Sequence, residues 1–158
     1  MTHLDIPVSL RWADLDAYGH VNNATMLTLL EEARIAAFWA TDEPHPGGRA
    51  PAAHRTALLE SGPSAATLTL IARQEVEYLL PIEYTRVPLV VRLWLSHIGG
   101  GSIDVCYEVL IGATVHAIAL STIVLVDAAT GRPRRVTPQE REAWSAHLAD
   151  PIRFRRRR

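Results

Sequence analysis

The residues best equipped for chemistry fall in one run, Arg11-Trp12-Ala13-Asp14-Leu15-Asp16-Ala17-Tyr18-Gly19-His20-Val21-Asn22-Asn23. Asp14 and Asp16 are carboxylates two residues apart, on one side of the chain wherever the backbone is extended. Gly19 lets the backbone turn and lets a ligand approach closely. A helix beginning just after this run has unsatisfied N–H groups and a partial positive charge at its first turn. A carboxylate facing such a helix end across a small gap is the minimum equipment for acyl transfer. One group attacks or activates water, and the N–H groups hold the oxyanion. Each residue also has a plainer use. Asp16 can form a turn through a local hydrogen bond. Asp14 can pair with a nearby N–H or with Arg11, and His20 can pack at the helix start. Asn22 and Asn23 cap helices whatever the function.

The elements around this run can be read from periodicity. Ile6, Val8, Leu10 and Trp12 share one parity, which predicts a strand over 5–13 with one buried face. Residues 22–40 contain neither Gly nor Pro, and Met26, Leu30, Ala33 and Ala37 step by three and four, with Leu27 and Phe38 widening the stripe. Glu31, Glu32 and Arg34 are displaced from its centre. This is an amphipathic helix with Asn22 as its N-cap. Residues 41–64 change texture, with Pro and Gly at both ends and a short helix expected over 52–60. They read as an excursion over the surface. Period two returns at 66–79, where Leu68, Leu70, Ala72, Val76 and Tyr78 share a parity. Strand-like runs follow at 87–98, 102–111 and 115–127, joined by short Gly-containing connections that imply antiparallel hairpins. Thr137, Pro138 and Glu140 signal a terminal helix with a capping box. One helix and one antiparallel sheet must bury each other, so the sheet wraps around the helix. The long strand at 66–79 is free to pair with its counterpart in a second chain, which predicts a homodimer.

With the elements placed, the segment RWADLDAYGHVNNATMLTLLEEAR resembles the signature of hotdog-fold acyl-CoA thioesterases of the 4-hydroxybenzoyl-CoA thioesterase-like type. The resemblance extends through the element order to about residue 138. It implies an α+β hotdog fold: a five-stranded antiparallel sheet wrapped around one long central helix, with a short C-terminal helix. It implies a thioester hydrolase acting on acyl-CoA without a cofactor, as a homodimer or a homotetramer. In that family the second Asp of a D-x-D-x-x-G pattern is catalytic, as nucleophile or general base, and here that is Asp16. A backbone N–H at the start of the central helix polarises the thioester carbonyl, and the matching position is Asn23. His20 then positions water or substrate, or protonates the departing thiolate. Tyr18, Gly19, Val21 and Asn22 are the candidate substrate-contacting positions. HVNN also resembles the plant fatty acyl-carrier-protein thioesterases, which carry Asn where this chain has Tyr18; that departure favours the Asp-centred reading. Relatives often place cations for the coenzyme A phosphates just after the last strand, where this chain has Arg132, Arg134 and Arg135. They often carry further cations in the turn between the third and fourth strands, where this chain has Gly99, Gly100 and Gly101.

Composition bounds the alternatives. At 158 residues, 48% hydrophobic and 21% charged, the chain suits a single packed domain over 1–152 with a basic tail at 153–158. Every cation is Arg. Residues 1–131 carry 7 Arg against 14 acidic residues, and residues 132–158 carry 9 against 3. The tail RFRRRR reads first as a solvated, frayed terminus; it lacks the aromatic interleaving of a nucleic-acid binder. One Cys excludes a disulfide framework. The seven His show neither HxxxH nor HExxH spacing, so no metal is expected. GxGxxG, GxxxxGK[ST] and GxSxG are absent. No apolar run reaches ~18 residues and the N-terminus lacks signal-peptide features, so the expected compartment is the cytoplasm. The rival class is a non-catalytic hotdog module that carries acyl groups in the same cleft. Asp16 argues against it, because a pure binder has no use for a carboxylate at the carbonyl.

Overall fold

A computed structural model describes residues 2–40 and 54–155. The elements in chain order are β1 (Leu4–Val8), a 3-10 turn (Trp12–Asp14), α1 (Asn23–Phe38), β2 (Thr67–Tyr78), β3 (Leu89–Ile98), β4 (Ser102–Ile111), β5 (Thr114–Asp127) and α2 (Pro138–Ser145). The strands form one antiparallel sheet in the order β1-β3-β4-β5-β2. This is the expected hotdog architecture. The helical stripe of Met26, Leu30, Ala33, Ala37 and Phe38 is buried against Leu93, Leu95, Val105, Tyr107, Ile123 and Leu125 of the sheet. Thr137 caps α2 and Glu140 completes the capping box. Among the described residues no helix is long and apolar enough to cross a membrane.

Four expectations need correction. The first strand ends at Val8 rather than 13, and Trp12 is 72% exposed instead of buried. The cause is Asp14, whose carboxylate accepts from the Arg11 N–H at 2.7 Å and curls the chain out of its extended path. Arg34, displaced from the apolar stripe by sequence, is nevertheless buried. Residues 54–60 form a turn and an isolated bridge, not a helix, while 41–53 lie outside the described residues. Thr56 donates to the Ala37 carbonyl, Trp144 donates to the Thr56 carbonyl, and Leu59 pairs with Trp39. These ties hold the segment against the end of α1. Finally, the tail is not frayed up to residue 155. It crosses the sheet face opposite α1, where Trp94 donates to the Asp150 carbonyl and the Arg155 N–H donates to Glu77 at 2.8 Å.

The parity of β2 also changes midway. A register shift between Ile71 and Arg73 places Leu68 and Leu70 opposite Val126 and Val124, on the outer face. Beyond it, Val76 and Tyr78 lie opposite Ala119 and Ala117, on the α1 side. As an edge strand, β2 leaves Leu68, Leu70, Ile71 and Tyr78 exposed.

Candidate active site

The run from Asp14 to Asn23 is a compact loop delivered by the end of β1 and leading directly into α1. Leu15 bridges Val21, His20 bridges Glu83, and the Val21 N–H donates to the Ile82 carbonyl at 2.8 Å. Gly19 turns the chain at φ +77°, a conformation that favours glycine. The two carboxylates divide their roles. Asp14 is buried, accepting from the Arg11 N–H and from its guanidinium at 2.9 Å. Burial alone would raise the Asp14 carboxyl, but these Arg11 bonds outweigh it and hold the carboxyl below its ordinary value. Asp14 is therefore committed to structure.

Asp16 is half-buried. Its Oδ1 accepts from the Tyr18 N–H at 2.8 Å and the His20 N–H at 3.2 Å, so it does form the turn. No donor among the described residues reaches its Oδ2. The first turn of α1 shows a matching selectivity. The Asn22 side chain accepts from the N–H groups of Ala24 and Thr25, and the Met26 N–H donates to the Asn22 carbonyl. Of the helix's orphan donors, the Asn23 N–H alone has no acceptor among the described residues. The Asn23 carbonyl accepts from the Tyr78 hydroxyl at 2.6 Å, which ties β2 to the same turn. Burial pushes the Tyr78 phenol above its ordinary value, so it remains a donor.

A crevice of about 300 Å³ opens beside this turn, lined by His20, Val21, Met26, Tyr78, Ile82 and His116 among others. Asp16 is not in its lining but is joined to it through His20. Tyr18, 84% exposed, and Gly19 also lie outside the lining. Tyr78 and His116 escaped the reading of the sequence, because strand pairing across 38 and more positions brings them here. His116 shares a hydrogen bond of 3.1 Å between its Nδ1 and the Pro81 carbonyl. A carbonyl only accepts, so Nδ1 carries the proton and Nε2 is left for another partner.

The three arginines separate. Arg134 is held bidentately by Glu140 at 2.6 and 2.9 Å and also donates to Thr67. Arg132 and Arg135 are exposed and form no ion pair among the described residues. Gly101 explains the glycine turn between β3 and β4. A Cβ there would stand 2.6 Å from the Arg134 carbonyl oxygen, so the turn is shaped to receive the arginine segment. Cys106 is buried under the tail, and burial pushes its thiol up. Among the described residues no three His, Cys, Asp or Glu side chains gather as a metal site.

One five-stranded antiparallel sheet packed on one long helix defines a hotdog-fold protein. Within that class, the chain belongs to the thioesterase-like superfamily, whose family model matches residues 10–148. A predicted thioesterase from Bacillus stearothermophilus is 22% identical, with 95% of this chain and 99% of that one covered and a TM-score of 0.71. A thioesterase from Thermus thermophilus, solved in complex with coenzyme A and Zn, is 27% identical over 92% of this chain and 93% of that one, with a TM-score of 0.65. A thioesterase-superfamily protein from a Jannaschia species is 21% identical over 93% and 92%, with a TM-score of 0.69. No curated protein matches at a significant level. The chain is thus a thioester hydrolase.

Proposed function

We propose that the protein hydrolyses acyl-CoA thioesters, with Asp16 as the reactive carboxylate and the Asn23 N–H as the oxyanion donor. The observation that supports this is two groups without partners among the described residues on one short loop: the Asn23 N–H at the start of α1 and, seven residues before it, the Oδ2 of Asp16. Oδ2 either attacks the thioester carbon, giving an anhydride that water opens, or takes a proton from the water that attacks. Both routes release the free acid and the coenzyme A thiol. The tetrahedral oxyanion is stabilised by the Asn23 N–H, and one such donor contributes roughly 3 kcal/mol. His20, at the crevice wall, protonates the departing thiolate or positions water. Val21 lines the acyl crevice. Asn22 supports it indirectly, by capping the turn that presents Asn23.

The coenzyme A substrate is supported by the Thermus neighbour, which binds that molecule. Arg132 and Arg135 are the cations for its phosphates. They follow the far end of β5, and the ten residues from His116 to Val126 span roughly 33 Å at ~3.3 Å each. That is too far for a grip within one chain. Antiparallel pairing of two β2 edges brings the Thr67 end of one copy to the Tyr78 end of the other. The exposed apolar residues of β2 favour that pairing, so the phosphate cations act across a homodimer. Asp16→Asn should abolish hydrolysis and leave the dimer folded. Near-normal turnover in a folded variant rejects the assignment.

A further inference from the structure

One buried charge has no part in this mechanism. Arg34 lies on α1 and is 3% exposed. Of the five N–H donors of a guanidinium, one reaches a partner among the described residues: Nη1 donates to the Tyr107 hydroxyl at 3.4 Å. The nearest carboxylate, Glu31, stands 3.9 Å from Nη2, beyond hydrogen-bond range, and its side chain is 59% exposed. A buried cation is costly when so thinly compensated, and arginine does not escape the cost by losing its proton. Arg34 borders a cavity of about 310 Å³ whose walls include Glu31, Ile35, Trp39, Ser61, Thr69 and Ile71. Ile35, Trp39 and Ile71 give apolar surface beside this cation, and Glu31 at the cavity's edge is largely turned to solvent and out of hydrogen-bond reach, so the site suits a carboxylate carried on an apolar tether.

The cavity's position ties it to the reactive turn. Met26 and Tyr78 line the crevice that His20 joins to Asp16, and Arg34 and Ile71 line this second cavity, so each cavity has walls from both α1 and β2, one near either end of the helix. From Asn23 to Arg34 the helix rises ~16 Å at ~1.5 Å per residue. An extended chain advances ~3.6 Å for every three bonds, so roughly thirteen bonds span that rise. Resting on the hydrolase reading above, we propose that Arg34 binds the far end of the acyl group, and that the substrates are coenzyme A monothioesters of long-chain dicarboxylic acids.

Tetradecanoyl-CoA and the coenzyme A monothioester of tetradecanedioic acid differ only at the far carbon. The wild type should show a kcat/KM at least tenfold higher for the carboxylate-ended ester, expressed mainly in KM. Arg34→Gln should erase that preference while still cleaving the methyl-ended ester. If Arg34→Gln does not fold, Ile71→Asp supplies a resident carboxylate beside the guanidinium and should produce the same loss. Equal or poorer cleavage of the carboxylate-ended ester by the wild type overturns the proposal. So does a preference that survives Arg34→Gln while light scattering shows a weakened dimer, which would assign Arg34 to a carboxylate of the second copy. Inhibition by free tetradecanoate that depends on Arg34, without a preference between the esters, would give the cavity to a free acid and also overturn it. Equilibrium binding of both esters to Asp16→Asn reads the preference without turnover. A wild type that cleaves neither ester therefore rejects the hydrolase reading, while the binding ratio still decides this one.

Discussion

Arg134 discriminates between a structural cation and a phosphate ligand, and Arg134→Met separates the two. Its side chain is one-fifth exposed and that of its partner Glu140 is 7% exposed. Methionine keeps the length of the side chain but leaves the Glu140 carboxylate without its cation. Removing one partner of a fully buried pair costs about 3–5 kcal/mol. Partial exposure of Arg134 reduces that to roughly 2 kcal/mol. For a chain of this size each kcal/mol moves Tm by about 2–4 °C, so the expected fall at pH 7 is about 4–8 °C. The pH dependence has a definite sign. Burial alone would raise the Glu140 carboxyl, but the Arg134 guanidinium and the Thr137 N–H outweigh it and hold the group below its ordinary 4.5. A carboxyl depressed on folding stabilises above its unfolded value, and that stabilisation is lost as pH falls through the folded one. The gap between wild type and Arg134→Met should therefore be full at pH 7 and close as pH drops below 4.5. Differential scanning fluorimetry across pH 3 to 8, roughly the range of the linkage, measures both. An unchanged Tm combined with a raised KM for coenzyme A esters would show that Arg134 serves the substrate after all.

Three further outcomes follow from named contacts. Arg132→Ala with Arg135→Ala should raise KM for a coenzyme A ester several-fold and leave a short thioester lacking the nucleotide almost unaffected; equal effects on both would refute the phosphate grip. Gly101→Ala drives a Cβ to 2.6 Å from the Arg134 carbonyl oxygen, so it should cost about 1–3 kcal/mol in denaturant unfolding; wild-type stability would show that the arginine segment can retreat freely. Tyr78→Phe removes the bond to the Asn23 carbonyl, which is worth about 1 kcal/mol of stability. It should also lower kcat several-fold by loosening the turn that presents the Asn23 N–H, and an unchanged kcat would rule out that coupling.

Most of the fold is legible because local periodicity and burial agree along the chain. The α1 stripe from Met26 to Phe38 and the capping box at Thr137 and Glu140 depend on neighbours within a few residues, and both fold as the pattern requires. The departures share a different cause. Trp12 leaves its strand because a side chain two positions away, Asp14, satisfies the backbone of Arg11. Leu68 and Leu70 change face relative to Val76 because a bulge inserts one residue into β2. Period two cannot reveal a bulge, since the alternation on each side of it remains intact.

The candidate site divides in the same way. Asp16, Gly19, His20 and Asn22 act through bonds to residues within four positions, so their types and spacing were enough to single them out. Tyr78, His116 and Arg34 gain their meaning only from distant partners: Asn23, Pro81 and Tyr107. Arg34 shows the limit most clearly. On a helical wheel it belongs to the charged flank of Glu31 and Glu32, and an exposed arginine there would need no explanation. Curvature of the sheet brings Tyr107 and the β2 edge over that flank, converting a surface charge into a buried one. The cost of that conversion is avoidable by any apolar residue at position 34. A guanidinium kept there, beside a cavity and with its nearest carboxylate 3.9 Å away and beyond hydrogen-bond range, is the feature that a carboxylate-ended acyl group would account for.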